Sequence, residues 1–164
     1  MTILAVTGHM DLTDASVPLV RAALDELMRE AAVDGELVGV SCIAAGSDSL
    51  FAEAVLDADG SLVAVIPSRD YRETKVKAAH AAQFDRLLAA AAEVVVMDHA
   101  TAGREAYEAA NSELLRRADR LVAVWNGMPP GTKGGGTADV VEEARALGLP
   151  VTVVWPAGAA RRNG

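Results

Sequence analysis

The chain has 164 residues, enough for one domain with a substantial core, and is 51% hydrophobic and 23% charged, a globular rather than a disordered composition. A net charge of -8 argues against nucleic acid and against anionic membranes as partners, since both need a basic face. The single cysteine, Cys42, excludes a disulfide framework and a cysteine-built zinc site, and fits a reducing cytoplasm.

The opening stretch "MTILAVTGHMD" has a short apolar run and no basic region before it, so it does not read as a signal peptide. No segment approaches the roughly 20 apolar residues that cross a bilayer. Short β-branched runs then alternate with alanine-rich amphipathic stretches. Thr2–Thr7 is the first predicted strand, followed by a helix over about Val17–Ala32. Glu36–Cys42 is a second strand with a helix over Asp48–Leu56, and Ser61–Ile66 a third, stopped by Pro67. A helix follows over about Lys75–Ala91, then strand Glu93–Asp98 and helix Gly103–Arg117. Arg120–Trp125 and Pro150–Trp155 are the last strands, separated by a glycine loop and a helix to about Leu147.

Continuously apolar strands imply burial on both faces of a parallel sheet, and the alternation with helices implies an α/β protein. The expected fold is a Rossmann-like three-layer αβα sandwich with a parallel, doubly wound sheet of about six strands, in an order such as 3-2-1-4-5-6. Residues 1–156 form the expected single domain, and 157–164 read as a flexible tail without function.

Ligands of open parallel sheets bind outside the carboxyl ends of the strands. Three such loops are rich in glycine and small polar residues: "TGHMD" (Thr7, Gly8, His9, Met10, Asp11), "AAGSDS" (Gly46, Ser47, Asp48) and "NGMPPGTKGGGTAD" from Asn126 and Gly127 to Asp139. The last fails the P-loop pattern, because Lys133 is followed by Gly134, and fails GxGxxG, because Asp139 stands at the final glycine. It nonetheless suits an anion: Gly134, Gly135 and Gly136 allow close approach, Thr137 offers a cap, and Lys133 adds a charge. A loop with a favourable acid at the helix start explains the same residues without a ligand. Ser47 or Asp48 is equally a plain N-cap, and His9 and Asp11 either face a common ligand or satisfy backbone groups. Tyr107 and Asn111 share a helix face that either borders the cleft or is ordinary surface, and Trp125 and Trp155 read as core plugs. His80 and His99 lack metal-ligand spacing, so neither a metal nor a cofactor is expected.

The segments "VTGHMD", "AAGSDSLFAEAVL", "RADRLVAVWNG" and "GGGTADVVEEARALGLPVTVVWP", in this order over residues 2 to 156, resemble the SLOG superfamily. It joins the DNA-processing protein A fold, the LOG phosphoribohydrolases (many mislabelled as lysine decarboxylases) and the bacterial YpsA/YspA-like proteins, to which the likeness is closest. The resemblance implies a homodimer that binds a nucleotide or a nucleotide-derived small molecule. LOG enzymes carry PGGxGTxxE, whose acid helps cleave the N-glycosidic bond of a nucleoside monophosphate. Here the proline and first glycine become Thr132 and Lys133, and the glutamate position becomes Val140. On the binding reading, Lys133 and Gly134–Thr137 hold phosphate, Thr7, Gly8 and Gly46 supply backbone contacts, and Asp48, Asn111 and Asp139 meet the ribose or base. Hydrolysis of the ribosyl bond, with Asp139 or Glu142 as the acid, is the enzymatic alternative. A dimeric interaction module is the third.

Overall fold

In a computed structural model, which describes residues 1–33, 35–131 and 136–163, six parallel strands alternate with helices. The strands are β1 (Thr2–Gly8), β2 (Leu37–Ser41), β3 (Ser61–Ile66), β4 (Glu93–Val96), β5 (Arg120–Val124) and β6 (Val151–Val153). The helices are α1 (Ser16–Ala32), α2 (Ser47–Asp57), α3 (Tyr71–Lys75), α4 (Ala78–Ala90), α5 (Arg104–Arg117) and α6 (Thr137–Ala146). The period-2 geometry of the strands sorts the apolar side chains into two layers. Leu4, Val6, Val122 and Val124 pack on the side of α1 and α2, where Val20, Leu24 and Met28 repeat at four-residue spacing. Ala5, Val40, Val63, Val65, Leu121 and Ala123 pack on the opposite side, against Ala110 and Leu114 of α5 and Val140, Val141 and Ala144 of α6. Phe84 and Leu87 of α4 cover Leu62, Ala64 and Ile66 of β3. The result is the expected Rossmann-like three-layer αβα sandwich.

The strand order is β4-β3-β2-β1-β5-β6, which corrects the order 3-2-1-4-5-6. β4 lies outside β3, with Val94 beside Ala64 and Val95 beside Val65, rather than beside β1. The physical reason is the face that α4 occupies. With α4 packed against β3 on the layer of α2, a right-handed crossover carries the chain one strand further outward. Reversal comes only with α5, which packs on the other layer and returns the chain to β5, next to β1. β4 also departs from the rule that apolar runs are covered on both faces, for Val94 and Val96 are 43% and 49% exposed.

Close packing between sheet and helix is set by small residues. A Cβ on Gly39 of β2 would come within 2.5 Å of Val55 Cγ2 and 3.0 Å of Phe51 Cε1. Residues 159–163, expected to be frayed, hydrogen-bond to the loop after β1: Arg162 N–H donates to Asp11 O (2.7 Å) and Thr13 N–H to Ala160 O (3.1 Å). Among the described residues no helix is long and apolar enough to cross a membrane.

Gly39→Ala overpacks the β2–α2 contact and is expected to cost about 2 kcal/mol. That lowers the thermal midpoint by roughly 4–8 °C, as read by circular dichroism. An unchanged midpoint would show that α2 is free to move away from the sheet.

Candidate functional site

The turn between β2 and α2 is strained and heavily tied. Ile43 is β-branched and buried, yet its φ is +57°, a left-handed conformation that such residues rarely adopt. Its N–H donates to Ser41 Oγ (3.1 Å), and its carbonyl accepts the His80 Nε2 proton (2.9 Å). Ser41 Oγ donates on to Asp48 O (3.0 Å), and Ser49 Oγ to Ala44 O (2.7 Å). This network over-determines the backbone and aims Cys42, Ala44 and Asp48 at the sheet edge. The structure thus employs His80, in which the sequence shows no special pattern, as a brace.

The loop after β1 is clamped from two sides. His9 N–H donates to Val124 O (3.1 Å), and His9 O accepts both Ser47 Oγ (2.7 Å) and Ser47 N–H (3.3 Å). Gly46 has φ +79°, and a Cβ there would lie 2.7 Å from Met10 O. Gly46 and Ser47 therefore bind the two loops to each other, and neither lines the cleft described next. The N-cap of α2 is Gly46 rather than Ser47 or Asp48, and that of α6 is Gly136 rather than Thr137.

A cleft of about 760 Å³ opens at the carboxyl edge of the sheet, where β1 and β5 meet. Thr7, Gly8, His9 and Asp11 border it from the first loop, and Asp48 with Cys42 and Ala44 from the second. Asn126, Gly136, Thr137 and Asp139 border it from the third, and Asn111 with Tyr107 from α5. Gly127 and Glu142 are not among the lining residues, whereas Trp125, read as a core plug, is. Lys133, Gly134 and Gly135 lie outside the described residues. The carboxylate of Asp139 accepts Gly136 N–H (3.0 Å), so it caps its own helix while bordering the cleft.

Four polar lining residues have no counterpart among the candidates offered by the sequence. Tyr71 and Lys75 follow β3, where the same rule of inspecting each strand's carboxyl end would have found them. Arg161 and Asn163 come from the expected tail, and their place depends on long-range pairing that no local pattern encodes.

The cleft has an unusual ionisation pattern. Burial pushes the Asp48 carboxyl up to about 7, against the opposing hydrogen bond from Ala44 N–H (3.4 Å). Burial raises the Cys42 thiol well above its ordinary range, and the Asp48 charge adds to this. The Tyr71 hydroxyl is raised by burial and by the fields of Asp48, Cys42 and Tyr107. On the facing wall, burial and the positive charge of Arg161 hold His9 below its ordinary value. His9 Nε2 accepts Asn126 N–H (3.1 Å), which assigns the neutral ring's proton to Nδ1. Burial disfavours ionised Asp11, but its hydrogen bond and ion pair with Arg161 outweigh this and lower its pKa. Among the described residues, no group of three His, Cys, Asp or Glu side chains is placed to hold a metal.

No protein-family model and no curated protein matches the chain. Solved structures do. DNA processing protein A from Streptococcus pneumoniae superposes with a TM-score of 0.66 at 18% identity, covering 93% of this chain and 50% of that one. DNA processing protein A from Helicobacter pylori, described with a single-stranded DNA binding mode, gives 0.65 at 17% identity, covering 93% and 64%. The molybdenum cofactor carrier protein of Chlamydomonas reinhardtii gives 0.55 at 20% identity, covering 93% and 75%. The chain spans about half the length of the Streptococcus protein. At these identities the likeness is one of fold, the Rossmann-like α/β sandwich that the three proteins share with this chain.

Proposed function

We propose that the cleft binds a nucleotide or nucleotide-derived phosphorylated small molecule, and that the chain is a SLOG-type binding protein or sensor. The observation that carries this reading is the convergence of three sheet-edge loops on one cleft at the β1/β5 switch point. Its volume of about 760 Å³ falls in the range of small-molecule sites. Asp48, Asn111 and Thr137 supply polar contacts for ribose or base, and Lys75 offers a cation. The molybdenum cofactor carrier among the structural neighbours supports a small-molecule ligand, and the net charge of -8 weighs against single-stranded DNA. Of the two acids proposed for a ribosyl hydrolase, Asp139 alone borders the cleft, so cleavage on this reading rests on that one carboxylate.

Thermal-shift titration with the four common nucleoside 5′-monophosphates tests the binding. A ligand at a hundred times its Kd stabilises by about 2.7 kcal/mol. Asn111→Ala should weaken binding roughly tenfold, as for one lost polar contact at about 1.4 kcal/mol, with the ligand-free midpoint unchanged. Absence of any shift, or a shift with a single-stranded oligonucleotide alone, would sink the nucleotide reading. Free base among the products would add hydrolysis.

Asp48 gives the fold a pH dependence of defined sign. Its pKa rises on folding from 3.8 to about 7, so the folded chain holds the proton more tightly than the unfolded one. The stability contributed by the neutral carboxyl is complete below pH 3.8 and is lost as the pH rises through about 7. Asp48→Asn is therefore expected to melt higher than wild type at pH 8. The gain is about 1 kcal/mol, or ~3 °C, after discounting for the solvent that still reaches the carboxyl. The difference should disappear near pH 4. A variant that melts lower at pH 8 would contradict the assignment.

A further inference from the structure

We propose that residues 159–163 belong to the ligand site, where Arg161 grips the phosphate or other anionic group of the ligand; this rests on the reading of the cleft given above. An acidic chain repels anions at long range, so an anionic ligand has to be held by cations in direct contact. Among the described residues lining the cleft, the cationic side chains are Lys75 on α3 and Arg161, from widely separated parts of the chain.

Arg161 is delivered there by a built docking. It pairs with Leu12 in an antiparallel bridge, and Leu12 itself is buried. Ala160 N–H donates to Ser16 Oγ (2.8 Å), a hydroxyl with no solvent exposure at its residue. Asp11 completes the seat: Oδ1 accepts Arg161 Nε–H (2.8 Å) and Oδ2 accepts Asn163 N–H (3.3 Å). This assigns Asp11 a positioning role in place of the ligand contact expected from the sequence, since both of its oxygens are engaged by the segment.

The chemistry of the held group points to phosphate. A guanidinium carries five N–H donors in a planar fork, of which Asp11 takes Nε–H, and its shape matches paired phosphate oxygens. The side chain is 33% exposed, so its contacts are less screened than those of a surface arginine. Its charge adds to burial, the larger cause, in lowering the pKa of His9 at the same cleft.

Isothermal titration of wild type, Arg161→Ala and Arg161→Lys with inorganic phosphate tests the segment directly. The same titrations with nucleoside 5′-monophosphates and the matching nucleosides test the nature of the ligand. Arg161→Ala should weaken phosphate and monophosphate binding about tenfold while leaving nucleoside affinity unchanged. Arg161→Lys should fall between, keeping the charge without the fork. Wild-type phosphate affinity in Arg161→Ala, or no phosphate binding by wild type, overturns the proposal. Monophosphates that bind no tighter than inorganic phosphate would instead overturn the nucleotide reading and leave the role of Arg161 standing.

Discussion

The close approach of the end of β1 to the start of α2 is the constraint on which the site depends. A Cβ on Gly8 would sit 2.5 Å from Ser47 Cβ and 2.8 Å from Val124 Cβ, so only a bare backbone lets strand, helix and β5 meet there. Ser47 uses that proximity to hold His9 O, and Gly46 turns the chain so that Met10 fits against it. With these contacts, loops from distant parts of the sequence become one wall. Without them, Thr7 and Asp48 would border separate surfaces.

Next to this junction the chain carries a cost. A β-branched residue held in the left-handed region costs of order 1–3 kcal/mol. Ile43 keeps that conformation because hydrogen bonds from both sides hold it, one of them from His80 on α4, a helix that does not itself border the cleft. The strain is local to the turn that presents Asp48, whose carboxyl sits where burial and a single backbone donor compete. The position of α4, three elements beyond α2, is thereby tied to the geometry of the cleft.

Much of this was legible in the residues. Alternating β-branched and alanine-rich segments specify the strands, and the helix boundaries of α1, α2 and α5 fall within a residue or two of those expected. The loops after β1, β2 and β5 were recognisable because glycine and small polar residues end each strand. What remained hidden was long-range. The amphipathic pattern of α4 states that it buries a face but not which side of the sheet receives it, and so it does not encode the position of β4 outside β3. Gly46 and Ser47 look like ligand residues because tight turns use the same residue types whether they hold an anion or another loop. Arg161 had no signal at all, since its pairing partners lie about 150 positions away in sequence.

The exposed flank of β4 has a consequence of another kind. As an outer strand it leaves half of its backbone donors and acceptors without a ladder partner in the sheet, beside the uncovered Val94 and Val96. Such a strip is a template for adding a foreign strand. Glu93 at one end is ion-paired with Arg117, and Asp98 just past the other with Arg69. These charges flank the apolar run as gatekeepers against such pairing, a role separate from stability, to which exposed ion pairs contribute little.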